Sequence, residues 1–214
     1  MLHTLLDLLF PPRCIFCRKI LPSKKQDICP DCERTLPVTD ASNCKQNGNF
    51  FEFCVSPLLY RDSVRDSILR FKFHGKTAYA EAYGRILAKC IEENLAGKYD
   101  IITWVPLSRA REKKRGYDQA MLLAMATALS LDDIACETLR KHTDVQAQSG
   151  ISDKSARRAN VSGVYEVSDS DLVAGKRILI IDDVITTGAT LSECARVLLM
   201  AGAEEIYCAA LSRA

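Results

Sequence analysis

Residues 176–190, K-R-I-L-I-I-D-D-V-I-T-T-G-A-T, constrain the fold of this chain more than any other stretch. Ile178, Leu179, Ile180 and Ile181 form a short β-branched run with no polar interruption. That pattern suits a strand buried on both faces of a parallel sheet better than an alternating edge strand. The run ends on two adjacent carboxylates, Asp182 and Asp183. After a T-T-G-A-T turn, apolar residues recur at Leu191, Cys194, Ala195, Leu198 and Leu199, the i, i+3, i+4, i+7, i+8 spacing of a helix packed on a sheet. The stretch therefore predicts a buried strand turning directly into a helix N-terminus.

At such a junction the free backbone N–H groups and the positive end of the helix dipole favour an anion, and Gly188 lets the backbone approach it. Thr186, Thr187 and Thr190 add hydroxyl donors at the same point. The carboxylate pair would repel a phosphate and is better placed to accept hydrogen bonds from sugar hydroxyls. The combination reads as a sugar-phosphate loop. A strand ending in Asp-Asp also occurs where nucleoside triphosphatases hold Mg²⁺, but that reading needs G-x-x-x-x-G-K-[ST]. Gly75, Lys76 and Thr77 supply only its end, with Arg70 where the first glycine belongs.

The I-I-D-D-V-I-T-T-G-A-T segment is similar to the phosphoribosyl pyrophosphate (PRPP) loop of type I phosphoribosyltransferases. The resemblance implies that Asp182 and Asp183 hold the ribose hydroxyls and are the catalytic acids. It assigns PRPP binding to Asp182, Asp183, Val184, Thr186, Thr187, Gly188, Ala189 and Thr190, with the threonine-rich turn on the 5′-phosphate.

The full length of 214 residues allows one core of about 150 residues and a small appendage. A net charge of +2 implies no nucleic-acid partner by itself, so basic function must come from local patches. The opening M-L-H-T-L-L-D-L-L-F-P-P is too short to span a bilayer, and no other stretch approaches the length of a transmembrane segment. A cytoplasmic protein is expected. Leu2, Leu5, Leu6 and Leu9 would form a short amphipathic helix, packed on its own domain or docked at the inner face of the membrane.

In a reducing compartment the ten cysteines argue for metal rather than disulfides. Cys14-x-x-Cys17 and Cys29-x-x-Cys32 are two knuckles of the kind that place four thiolates around a structural Zn²⁺. A redox C-x-x-C normally occurs once and opens a helix in a βαβ unit, and neither pair has that context. Cys44 and Cys54 form no third pair and read as vestiges of a second site or as free thiols. Cys90, Cys136, Cys194 and Cys208 lie in apolar patterns and read as core.

From Val55 onward apolar strands alternate with helical patterns, so residues 1–56 are taken as a zinc-ribbon-like module and 57–214 as the main domain. Helices are expected at 63–73, 78–95 and 118–131, and strands at 101–105, 178–181 and 206–211. This alternation predicts an α/β fold with a parallel sheet. The 101–105 strand leads into Pro106, Leu107 and Ser108 and then a basic loop holding Arg109, Arg111, Lys113, Lys114 and Arg115. Ligands bind beyond the carboxyl ends of strands in such sheets, so these cations suggest a pyrophosphate site. Residues 143–165 are polar and lack periodicity, as functional lids do, with Gln146, Arg157, Arg158 and Asn160 as their working side chains.

Tandem C-x-x-C pairs, V-P-L-S before K-R-G-Y-D-Q-A, T-x-x-Q, R-R-x-N and the PRPP loop together resemble the ComF family of competence proteins. That resemblance covers nearly the whole chain and implies a zinc-ribbon-like module joined to a type I phosphoribosyltransferase-like domain. It further implies PRPP and Mg²⁺ as ligands, and import of single-stranded DNA with the uptake machinery at the inner membrane. Leu107, Ser108 and Arg109 correspond to the pyrophosphate loop, and Arg115, Gly116, Asp118 and Gln119 to a family signature in which Asp118 replaces the usual asparagine. The incomplete second cysteine set implies one zinc.

Two functions are compatible with these residues. One is a PRPP-binding protein in DNA uptake; the other is an active phosphoribosyltransferase acting on a nitrogenous acceptor that the sequence leaves unnamed. On the first, weak and sequence-independent DNA contacts are expected from Lys113, Lys114, Arg70 and Lys72, with Phe71 and Phe73 between cations either stacking on bases or packing in the core.

Overall fold

The computed structural model describes residues 11–23, 25–141 and 163–214. Its first regular element is helix α1 (Pro30–Thr35), followed by the two-residue strands β1 (Lys45–Gln46), β2 (Cys54–Val55) and β3 (Leu58–Leu59). Helices α2 (Asp62–Phe73) and α3 (Tyr79–Leu95) precede strand β4 (Ile101–Trp104), helix α4 (Arg109–Arg115) and helix α5 (Gln119–Ser130). Strands β5 (Leu139–Lys141) and β6 (Tyr165–Val167), helix α6 (Ser170–Val173), strand β7 (Arg177–Ile185), helix α7 (Ala189–Met200) and strand β8 (Glu205–Arg213) complete the order.

The main sheet runs β1-β2-β8-β7-β4, with β3 also on β8. Strands β2, β8, β7 and β4 are mutually parallel, and only the outer β1 is antiparallel. The apolar run at the centre is thus flanked on both edges and covered on both faces. Leu179, Ile181, Tyr207, Ala209 and Leu211 share one core with residues of α2, α3 and α5. Ile178, Ile180, Ile206, Cys208 and Ala210 share the other with α7 and the β5–β6 pair. This period-2 division, with all of these positions buried, is the expected parallel-sheet α/β architecture.

Strand β7 extends past the apolar run to Ile185, because pairing with β8 continues through Asp182↔Ala210, Val184↔Ser212 and Ile185↔Arg213. The basic tract forms a helix rather than the expected loop. Ser108 caps α4 by accepting a hydrogen bond from the Arg111 N–H, and the Gly116 N–H closes the far end on the Glu112 carbonyl. No helix among the described residues is long and apolar enough to cross a membrane.

Residues on both sides of the expected boundary at Ser56 share one sheet, since Cys54 pairs with Cys208 and Val55 with Ala209. The first cysteine turn is also fixed to the main core. The Ser67 hydroxyl donates to the Ile15 carbonyl at 2.5 Å, and Arg70 reaches the Ile15 and Phe16 carbonyls at 3.0 and 2.5 Å. Phe16 itself packs on Tyr83, with ring centroids 6.3 Å apart.

Helices α3 and α5 approach closely at Gly84, where a Cβ would lie 2.6 Å from the backbone carbon and 2.8 Å from the carbonyl oxygen of Ala126. Gly84→Ala improves helix propensity by about 1 kcal/mol. The clash is with backbone that cannot swing aside, and overpacking of that kind costs about 1–3 kcal/mol. Gly84→Ala is therefore expected to lower stability, read as a reduced urea midpoint at unchanged m-value; a raised midpoint contradicts the helix contact.

Candidate functional site

Parallel pairing of β4 with β7 in the register Thr103↔Ile180 and Trp104↔Ile181 sets the ends of the two strands side by side. The Val105 N–H continues the ladder to the Ile181 carbonyl at 3.0 Å. The loop at 106–108 therefore leaves the sheet beside the acid pair, although 75 positions separate Leu107 from Asp182 (182 − 107 = 75).

Gly188 caps α7 with φ +74°, the left-handed conformation, and presents the first turn of that helix to a small hollow of about 40 Å³ lined by Asp182, Ile185 and residues 186–191. A Cβ at this point would meet the Phe51 ring at 3.6 Å. The Gln46 side-chain amide donates to the Thr186 carbonyl at 3.1 Å, so the N-terminal segment supports the phosphate-type loop directly. Sequence spacing could not reveal Gln46 and Phe51 as neighbours of this turn, because the contact exists only once β1 and β2 join the sheet.

The two carboxylates meet different partners. Asp182 lines the hollow, and burial, followed by the Asp183 charge, raises its pKa well above the ordinary carboxylate range, while Lys72 opposes the rise. Asp183 is 4% exposed, and its Oδ1 lies 2.6 Å from Lys72 Nζ. Its Oδ2 is buried with no hydrogen-bond partner among the described residues. A buried acceptor oxygen without a donor is what a hydroxyl-bearing ligand would satisfy.

Asp118, at 6% exposure, caps α5 by accepting from the Ala120 and Met121 N–H groups at 2.9 and 3.0 Å. Its other oxygen accepts from the Leu107 N–H at 2.8 Å. A carboxylate supplies acceptors on both oxygens, so Asp118 holds the 106–108 loop against the start of α5. Burial raises its pKa and the three N–H donors oppose that rise. Arg115 donates to Gln119 at 2.5 Å and lies 4.8 Å over the exposed Phe73 ring. Next to this loop opens a cavity of about 390 Å³, lined in part by Trp104, Leu107, Arg109, Asp118, Arg140 and Lys141. Lid residues Gln146, Arg157, Arg158 and Asn160 lie outside the described residues.

Cys14, Cys17, Cys29 and Cys32 converge with all four sulfurs within 4.8 Å of one another. The Cys17–Cys29 sulfur separation is 3.6 Å. Tetrahedral thiolates around Zn²⁺ at about 2.3 Å stand about 3.8 Å apart, so the cluster fits that ion. Burial works against the Cys14 thiolate, yet N–H groups of Cys17, Cys29 and Phe16 bring its pKa down to about 7. Burial and the neighbouring sulfurs push Cys32 far up, a conflict among four crowded thiols that a divalent cation removes.

Comparison with known proteins matches residues 78–214 to the phosphoribosyl transferase domain and residues 5–59 to the double zinc ribbon domain. Competence protein ComFC of Bacillus subtilis is 29% identical over 184 residues, spanning 85% of this chain and 70% of that one. Competence protein F of Haemophilus influenzae is 28% identical over 223 residues, spanning 94% of this chain and 97% of that one. The chain belongs to the ComF family. A solved glutamine PRPP amidotransferase from B. subtilis aligns at TM-score 0.47 and 20% identity over 67% of this ComF chain, which spans only 30% of that chain.

Within the ComF architecture, the four-cysteine cluster is the structural zinc site of the ribbon. Cys44 and Cys54 are buried thiols outside it, and no other cluster of three metal-ligating side chains occurs among the described residues. Cys90, Cys194 and Cys208 are core as expected, and Cys136 is half-buried. Phe71 is fully buried, so it packs rather than stacks on a ligand.

Arg70 and Lys72, two of the expected DNA contacts, have partners within the fold. Arg70 is turned onto the carbonyls of the first cysteine turn, with its Nε buried, and Lys72 is held by Asp183. Both stand on the flank of the apolar stripe at Val64, Ile68 and Phe71, where a long cationic side chain can follow the buried face inward. Lys113 and Lys114 are exposed on α4.

Purified protein is expected to carry about one equivalent of zinc. Replacing Cys29 and Cys32 with serine should abolish it; undiminished zinc by metal analysis contradicts this site. Asp118→Ala removes a cap and the tether to Leu107 together, so an N-cap loss of about 1 kcal/mol joins an orphaned N–H costing about 1–3 kcal/mol. Thermal unfolding should register that fall in stability.

Proposed function

We propose that this ComF protein binds PRPP with Mg²⁺ at the 182–190 loop and acts at the cytoplasmic side of natural transformation, where single-stranded DNA is taken in. One observation carries the reading of the ligand: a strand bearing two carboxylates, one with a buried oxygen unpartnered among the described residues, adjoins a helix start that lines a small hollow. Hydroxyl donors and a phosphate are the two chemistries those features accept. The Asp182 and Asp183 carboxylates take the ribose hydroxyls, and the 186–190 turn takes the 5′-phosphate. The 107–109 segment, fixed beside the acid pair by Asp118, faces the pyrophosphate. Mg²⁺ that enters with PRPP supplies neutralisation of the pyrophosphate charge. The competence reading is supported by relatives that are named competence proteins across most of their length.

Calorimetry with Mg²⁺ and PRPP tests the site. Asp182→Ala/Asp183→Ala removes hydrogen bonds to charged acceptors of about 1.5–3 kcal/mol each, so affinity should fall by about 100-fold or more; unchanged affinity rules the site out. Pyrophosphate release from PRPP, with and without nitrogenous bases, separates a transferase from a binder.

Single-stranded DNA binding is proposed for the exposed lysines of α4. Lys113→Ala/Lys114→Ala should flatten the dependence of log affinity on log salt by about 1.4, at about 0.7 per phosphate contact. An unchanged slope with loss of PRPP affinity would assign these lysines to the nucleotide site instead.

A further inference from the structure

We infer that Lys72, which reaches the 182–190 loop from the last turn of α2, is a positioning residue of the PRPP site: its ammonium pins one oxygen of the Asp183 carboxylate and leaves the second as the acceptor for the ligand. The inference rests on the proposed PRPP reading. Nζ stands 2.6 Å from Asp183 Oδ1, and the two side chains are 19% and 5% exposed. This is an ion pair shielded from water on a helix otherwise occupied with the core.

The geometry explains how two adjacent acids coexist on a buried strand. Like charges this close disfavour double ionisation, and one carboxyl normally takes a proton. A protonated acid cannot accept with both oxygens. Lys72 supplies the opposite charge on the one oxygen that points to α2, which fixes the carboxyl plane and leaves Oδ2 as an acceptor. The sequence feature is therefore the lysine between Phe71 and Phe73, 111 positions before Asp183 (183 − 72 = 111).

Other titratable groups facing the pair leave Lys72 as the decisive one near neutrality. Tyr60 faces Lys72, while Tyr83 and Asp118 face Asp183. Cys54, Cys194, Cys208 and Tyr165 face Asp182. Burial raises the pKa of these four groups and of Tyr83, so they stay uncharged there. Asp118 is the further acid, and it is engaged by three backbone N–H groups.

The test is calorimetric titration of Mg²⁺ with PRPP into the full chain carrying Lys72→Met, Lys72→Arg or no change, at pH 7.5 and pH 9. Lys72→Met should weaken binding at least about tenfold at pH 7.5 and regain part of that loss at pH 9, as the acid pair loses its shared proton. Lys72→Arg should retain more affinity than Lys72→Met, since it keeps the charge. Circular dichroism and zinc content of each variant establish that it is folded. If Lys72→Met fails to fold, Lys72→Gln takes its place, and affinity equal to that of the unchanged protein, or reduced by the same factor at both pH values, then overturns the inference. If the unchanged protein binds PRPP and Lys72→Met binds it equally, or more weakly by the same factor at both pH values, the inference is overturned while the PRPP reading stands. If the unchanged protein binds no PRPP, both fall.

Discussion

Two carboxylates at the end of a strand that is buried on both faces create the charge problem around which this molecule is arranged. Burial raises the free energy of each ionised acid, and each charge raises that of the other. The fold answers with a cation from α2 on Asp183 and with the open start of α7 beyond Asp182. The 186–190 turn, the adjoining loop of β4 and the position of α2 all gather at that acid pair. A sheet that stopped after Ile181 would carry none of this chemistry.

The parts legible in the sequence were those with a short-range physical signature. The apolar run at 178–181 suits a doubly covered strand better than an edge strand, the apolar spacing after Thr190 is that of a helix packed on a sheet, and four cysteines in two knuckles point to a metal site. The basic tract carries its helix signal only in its caps, Ser108 and Gly116, which bracket seven residues whose dense charge is otherwise the pattern of a loop. Less accessible was everything set by contact across the chain. Lys72 sits in a run of basic and aromatic residues that resembles a nucleic-acid patch, and only the packing of α2 on the sheet turns it toward Asp183. Gln46 lies in a polar segment whose place beside Thr186 depends on β1 and β2. Neither has a periodicity or motif to announce it.

The zinc ribbon belongs to the same mechanical unit as the 182–190 loop. Its first turn is gripped by Ser67 and Arg70 of α2, and Lys72 of that helix ends on Asp183. One helix therefore carries contacts to both sites, the ribbon near its middle and the acid pair at its end.

The parallel pairing of Cys54 and Val55 with β8 has a consequence for how the chain assembles. The partners lie about 150 residues apart, a loop-closure distance typical of slowly formed contacts. A ribosome releases the ribbon and its following strand long before β8 exists. Until then the β2 edge has unpaired backbone groups, and the short length of that strand, two residues, limits its exposure to foreign strands. The ribbon can take up its metal early, but the sheet it belongs to closes only when the far strand arrives.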